Sequence, residues 1–322
     1  VRGCDCLSEI VVCGAINLDI NLFVRQFPKI GEEVSVDRLT RIPGGKGANV
    51  SVASSRILGK GKVAILGGLG DDAIGREQVE ILAGEGVETA GIKIVEGFES
   101  GQAYITIDGE GQNTICTVFG ANLELGPSDL KEEVRYSMIE KSKIIVVIDP
   151  RPDSLLALAR LGGSLGKTVI LPPGVRSGRG ISGLRDVLEN VDYVVLNSVE
   201  IENLTGRSEP ADAFEELARK GVPCRLIVTR GADGCVMVGS ERGEILSLPG
   251  ISLERMGLRV VNTVGAGDAF LGVFAAFKSL GFSDHDSLAR ANAAGAFKVT
   301  QPITRGSPTR EELEAFMSRI RV

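Results

Sequence analysis

The chain of 322 residues contains a single histidine. His285 sits in Ser283-Asp284-His285-Asp286, a run that reads as the start of a helix, which argues against an imidazole base. An excess of positive charge is also missing. Net charge is −6, and basic stretches such as Lys60-Gly61-Lys62 are short, so a nucleic-acid partner is not expected. No apolar run approaches the roughly 18 residues of a membrane span. Near the N-terminus, Arg2 is accompanied by Asp5 and Glu9, and the apolar stretch 10–16 is too short for the core of a signal peptide. A cytoplasmic location without membrane contact is expected. The six cysteines (Cys4, Cys6, Cys13, Cys116, Cys224 and Cys235) are too scattered for a disulfide framework. Cys4-Asp5-Cys6 has no second close pair or histidine to complete the four ligands of a structural zinc site. Internal repeats and low-complexity segments are absent.

What is present is an alternation. Residues 10–15 and 63–67 read as buried strands, short, β-branched and ended by small residues. Residues 143–148, 168–171, 193–196 and 226–229 are further apolar strand runs. Helix-length stretches lie between them: 48–58, 75–86, 153–165, 184–189 and 211–220. Strand followed by helix, repeated, predicts a parallel sheet covered on both faces. Two regions break the rhythm. Residues 19–27 and 33–41 alternate apolar and polar side chains, as do 101–107 and 113–119, the latter two joined by the turn Asp108-Gly109-Glu110-Gly111-Gln112. With no helices to cover them, these strands predict a small antiparallel sheet standing off the main body as a lid.

One stretch carries chemistry. In "NTVGAGDAFLGVFAAF", Gly265-Ala266-Gly267-Asp268 opens an apolar helix. Unpaired amides and the positive end of the helix dipole favour an anion there, and glycine allows close approach. Asp268 then sits beside that anion. A carboxylate suits that place if it takes a proton from an attacking hydroxyl while the amides neutralise charge on a transferred phosphoryl group. The plainer reading is a tight strand-to-helix junction with an acid in the first turn. Gly162-Gly163-Ser164-Leu165-Gly166-Lys167-Thr168 is not a P-loop. Leu161 stands where the motif needs glycine, and the stretch leads into a strand rather than a helix.

A second glycine motif, Gly44-Gly45-Lys46-Gly47-Ala48-Asn49, opens another helix. Taken with "NTVGAGDAF", and with "GAINLDI", "GGLGDDAIG", "GEGQN", "LNSVEIENLTG", "TRGADG" and "PTREELEAF" in the same order, the chain resembles the ribokinase (PfkB) family of carbohydrate kinases over nearly its whole length. Within that group the likeness is closest to ribokinases. The resemblance implies an α/β fold, a ribokinase-like three-layer αβα sandwich with a mainly parallel central sheet. Residues 1–322 would form a single domain, with lid strands from about 17–43 and 92–120. It implies phosphoryl transfer from ATP with Mg²⁺ to a small sugar, ribose first, with a phosphosugar or nucleoside as alternative acceptor. A catalytically silent binding protein on the same fold is the reading of another class.

Residue by residue, the resemblance implies Asp268 as base and the backbone of Gly265, Ala266 and Gly267 as anion hole. Asn17, Asp19, Gly44, Gly45, Lys46, Asn49 and Asp149 match sugar-binding positions. Thr229, Arg230, Gly231, Ala232, Asp233, Gly234 and Asn292 match nucleotide positions, and Asn197 and Glu200 match those that organise Mg²⁺ and phosphate through water. Singly, Asp19, Asn49 and Asn197 also read as turn formers and Glu200 as a first-turn acid. The chain departs from the pattern at four places, one of them the tail 299–309, whose spacing differs from that of the family's cation loop. Asn262 replaces an aspartate that helps hold a monovalent cation; with Val264 and Gly306 it marks the expected K⁺ site, now one charge short. Asp149 stands where a glutamate is usual, and Pro172-Pro173 where Asn-Pro is usual. For a phosphosugar, the cationic side chains to hand are Arg41 and Lys46. The lid also implies a homodimer through its edge strands.

Overall fold

In a computed structural model describing residues 8–148, 151–239 and 242–320, the apolar runs pair into one nine-stranded sheet. Its strands are β1 (Ile10–Gly14), β4 (Val63–Gly70), β5 (Ile92–Val95), β8 (Ile144–Ile148), β9 (Thr168–Leu171), β10 (Tyr193–Asn197), β11 (Arg225–Thr229), β12 (Cys235–Val238) and β13 (Leu246–Leu248). The order is β13-β12-β11-β10-β9-β8-β1-β4-β5. Neighbours from β5 through β11 run parallel, and β12 and β13 extend one edge antiparallel. All five residues of β1 are buried, because alternate side chains enter two different cores. Val11 and Cys13 point to one face, with the helices Pro152–Ser164, Gly180–Leu188 and Pro210–Arg219. Ile10 and Val12 point to the other, with Lys46–Leu58, Ala266–Ser279 and Asp284–Lys298. This is the expected αβα sandwich.

The lid is a separate four-stranded sheet of β2 (Asn17–Phe23), β3 (Arg38–Gly44), β6 (Gly101–Ile107) and β7 (Asn113–Val118), in the order β3-β2-β6-β7. It departs from expectation in three ways. The central pair β2 and β6 is parallel, because the two strands leave the main sheet in the same direction. The strand sought at 33–41 lies at Arg38–Gly44 instead, in register with β2 from Asn17↔Gly44 to Phe23↔Arg38. Residues 92–95 belong to the large sheet as β5, where Gly67 pairs with Ile92. The turn at 108–112 forms as read, with Asp108 Oδ1 accepting from the amides of Glu110 and Gln112. Ser283 caps the helix at His285, its side chain accepting from the Asp286 amide.

The helices Lys46–Leu58 and Ala266–Ser279 approach closely at Gly272. A Cβ there would lie 2.6 Å from the Cβ of Ala53 and 2.7 Å from the Val50 carbonyl oxygen. Ser54 donates to the Gly272 carbonyl at 2.9 Å. This contact sets the distance between the two glycine-led helix starts.

Candidate active site

Parallel α/β sheets present ligands with the carboxyl ends of their strands. Here the ends of β8, β10 and β11 line a cleft of about 480 Å³ whose walls include Lys46, Asn197, Glu200, Thr229, Gly267 and Asp268. A second cleft of about 640 Å³ is lined by Thr229, Gly231, Ala232, Gly234, Asn292, Ala266 and Gly267. Thr229, Gly231 and Gly267 belong to both, so the two form one trough with the start of the Asp268 helix at its junction. Arg230 and Asp233 line neither cleft but close the turn that carries Gly231 and Ala232: Arg230 donates its amide to the Gly234 carbonyl, and the Asp233 amide donates to that of Arg230. Asn292 is oriented by donating Nδ2 to the Pro249 carbonyl at 2.9 Å.

Gly265 holds φ +88°, and a Cβ on it would meet the Thr304 carbonyl oxygen at 2.4 Å. Only glycine fits that corner. A Cβ on Gly267 would meet nothing within 4 Å. The Ala266 amide turns back onto the Thr263 carbonyl, and the first helical bond runs from the Ala269 amide to the Gly265 carbonyl. The amides of Gly267 and Asp268, between them, fall among those that a helix leaves without an intrahelical acceptor.

On the other side of Asp268 lies a buried polar chain. Asn49 Nδ2 donates to Asp268 Oδ2 at 2.8 Å, and Asn49 Oδ1 accepts from Arg305 Nε at 3.0 Å. Arg305 Nη2 donates to the Gly44 carbonyl at 2.6 Å and to Gln78 Oε1 at 3.2 Å. The Asp19 carboxylate lies against Gly44, where a Cβ would come within 2.2 Å of it. Asn17 Oδ1 accepts from Asn122 Nδ2 at 2.9 Å. The sequence-derived sugar residues Asn17, Asp19, Gly44 and Asn49 thus gather beside the base candidate, with Gly45 capping the helix that carries Asn49. Asn49 is no turn former; it bridges two helices.

Arg305 and Asn122 were not singled out from sequence. Arg305 had a signal: a lone arginine in the tail Thr304-Arg305-Gly306-Ser307, among small residues. It is 6% exposed. Burial pushes it down to about 10, while Asp19 draws it back up. Asp19 is pushed up to about 6 by burial, against the pull of Arg305 and with the push of Asp268. Register also decides which lid residues face this cluster. Asp19 shares a face with Ala103, Thr117 and Ile42, whereas Arg41 pairs with Ile20 and points to the opposite face. Arg41 is therefore not placed to meet a phosphosugar beside Asp19.

Asn197 and Glu200 form a capping box. Asn197 Oδ1 accepts from the amides of Val199 and Glu200, and Glu200 Oε2 accepts from that of Asn197. The turn-forming reading holds for Asn197, yet both residues line the cleft. Among the described residues, no group of three or more His, Cys, Asp or Glu side chains converges on a point. Mg²⁺ fits such a site, since it keeps several waters and takes its other oxygens from substrate phosphates. Asn262 commits both ends of its side chain, Nδ2 to the Pro302 carbonyl and Oδ1 to the Val264 amide, each at 2.9 Å. Gly306 closes a turn onto the Ile303 carbonyl. Asp149, Cys4 and Cys6 lie outside the described residues. No helix among those described is long and apolar enough to cross a membrane.

Comparison with known proteins agrees with this geometry. The pfkB family carbohydrate kinase profile matches residues 7–310. An ATP-dependent ribose-1-phosphate kinase of Halopiger xanaduensis is 28% identical over 97% of this chain and 99% of its own. A deoxyribokinase of Salmonella typhi is 27% identical over 96% and 99%. The structure of an Arabidopsis thaliana ribokinase complexed with ribose and ATP superposes with a TM-score of 0.84 at 25% identity, covering 96% of this chain and 98% of that one. With two glycine-led helix starts joined through Asn49 and Asp268 on a ribokinase fold, the chain belongs to the pfkB family of carbohydrate kinases, phosphotransferases that act on sugar hydroxyl groups.

Proposed function

We propose that this protein transfers the γ-phosphoryl group of ATP to the primary hydroxyl of ribose. The observation that carries the reading is the place of Asp268: at the junction of two clefts, in the first turn of a helix, with one carboxylate oxygen pinned by Asn49 at 2.8 Å. The larger cleft suits the nucleotide, with Thr229, Gly231, Ala232, Gly234 and Asn292 along its wall. Sugar hydroxyls are matched by acceptors and donors at Asp19, Asn17 and Asn49, since a buried hydroxyl left unpaired costs about 1–3 kcal/mol. Asp268 removes the hydroxyl proton as attack proceeds. Of the expected anion hole, the Gly267 amide stabilises the phosphoryl oxygens, whereas that of Ala266 is turned onto the Thr263 carbonyl. Glu200 and Asn197 would hold a Mg²⁺ ion through water, and such an ion would supply charge neutralisation between the phosphates. The free buried cysteines Cys13, Cys224 and Cys235 suit a reducing cytoplasm.

A second reading, ribose 1-phosphate as acceptor, is favoured by the Halopiger relative and by Lys46 in the wall of the Asp268 cleft. Initial rates of ADP formation with ribose, fructose, fructose 6-phosphate, ribose 1-phosphate, adenosine and cytidine separate these by kcat/KM. Ribose is expected to lead. A lead for ribose 1-phosphate moves the assignment to the second reading, and no ADP from any acceptor makes the protein a silent binder.

A further inference from the structure

Under the loop that opens the Asp268 helix stands a lysine with no exposed surface. Lys298 is the last residue of the helix Asp284–Lys298 and is 0% exposed. Its Nζ donates to the Asn262 carbonyl at 2.9 Å. Lysine is almost never fully buried unless its charge is put to use. The segment it meets is stapled to the next: the Val261 and Asn262 amides donate to the Val299 carbonyl, and Asn262 Nδ2 to that of Pro302. Thr304 in turn fills the corner of Gly265. Residues 261–265 and 299–304 thus form one unit, with an ammonium bonded into it and the phosphoryl cradle at its edge.

Of the residues expected to hold K⁺, Asn262 has its oxygens already engaged. The Asn262 side-chain oxygen is occupied by the Val264 amide, and the Asn262 carbonyl by Lys298. We propose that the Lys298 ammonium takes the place of an alkali cation, fixing the 262–265 loop and adding positive charge behind the cradle, so that phosphoryl transfer proceeds without K⁺. The uncharged Asn262 belongs to the same arrangement. Asparagine keeps a formal negative charge off the residue whose backbone carbonyl holds the ammonium. Burial pushes Lys298 down to about 8, while Asp268 draws it back up. Lys298 is thus a positioning residue, acting through the loop, and the proposal rests on the kinase reading only for its rate measurements.

The test compares KCl with choline chloride on the full chain at matched ionic strength, on the order of 100 mM, so that general screening is constant. Wild-type kcat is expected to agree within about twofold between the two salts. Lys298→Met is expected to lower kcat in choline by about 100-fold, the scale of losing one electrostatic contact to the transition state. In Lys298→Ala, K⁺ or NH₄⁺ is expected to restore part of that loss while choline does not. A wild-type enzyme activated about tenfold or more by K⁺ overturns the proposal, as does a Lys298→Met variant with wild-type turnover in choline. If no acceptor is turned over, the kinase reading fails and the cation question is decided by melting temperature and by titration with ATP. Wild type should show the same values in both salts; K⁺-specific stabilisation or tighter nucleotide binding overturns the proposal. The wild-type measurements stand even if the variants fail to fold.

Discussion

Asp268 is held by Asn49 and lines the cleft, and that placement defines what each neighbour should do when changed. Asp268→Asn keeps the shape and loses the base: kcat should fall by about 10²–10⁴-fold, while ribose binding measured by calorimetry persists. Near-normal turnover would remove Asp268 from that role. Asn49→Ala removes the donor to Asp268 Oδ2 and leaves Arg305 Nε without its acceptor. A fall in kcat of about 10²-fold is expected from misplacement of the base. Leaving a buried donor unpaired should lower unfolding free energy by about 1–3 kcal/mol in a denaturant titration. Asp19 gives a pH signature. Its carboxyl is raised from 3.8 to about 6, so the folded protein holds that proton more tightly than the unfolded chain does. Its contribution to stability is complete below pH 3.8 and is lost as pH rises through about 6. The ionised acceptor for a sugar hydroxyl appears over the same rise. Ribose affinity should therefore increase through pH 6 while the melting temperature loses this term, and Asp19→Asn should flatten both profiles. An unchanged affinity profile in that variant would take Asp19 out of the sugar site.

At the scale of elements, the start of the helix Ala266–Ser279 separates two kinds of glycine. Gly265 is there for conformation: with φ +88° and Thr304 at 2.4 Å from a Cβ, Gly265→Ala should lower stability by about 1–3 kcal/mol. Gly267 is there for space. Gly267→Ala meets no atom within 4 Å and lies in a helix, so stability should stay level or rise by up to about 1 kcal/mol. Its methyl group nonetheless enters the cradle, and kcat should fall about tenfold or more. Thermal melts and steady-state rates on the pair distinguish the two; equal loss of stability in both would refute the distinction. The helix itself was legible from its sequence, because glycine, acid and apolar period all agree at 265–277. The partner of its acid was not, because Asn49 lies 219 positions away and meets Asp268 only where Gly272 lets two helices close.

For the whole molecule, the lid carries the open question of assembly. Leu39, Tyr104 and Val118 share the face opposite Asp19 and are 43%, 38% and 42% exposed. β7 is an edge strand with every residue exposed. An apolar face and an unpaired edge suit a second lid. The protein is expected to sediment as a dimer, and Tyr104→Lys with Val118→Lys to sediment as a monomer. A monomeric wild type would end the lid-pairing proposal.

Local chemistry determined what could be read along the chain. Strand and helix spacing, the turn at 108–112 and both glycine-led helix starts depend on residues a few positions apart, and periodicity records them. Tertiary structure alone decided how those pieces meet. The parallel pairing of β2 with β6, the transfer of 92–95 to the large sheet and the face on which Arg41 points follow from register between distant strands. Likewise, Lys298 looks like an ordinary surface charge in sequence, and Arg305 stands out only as a lone arginine among small residues. They become buried parts of the site only because the segment 298–306 folds back beneath two helix starts, where desolvation turns each charge into a commitment to specific neighbours.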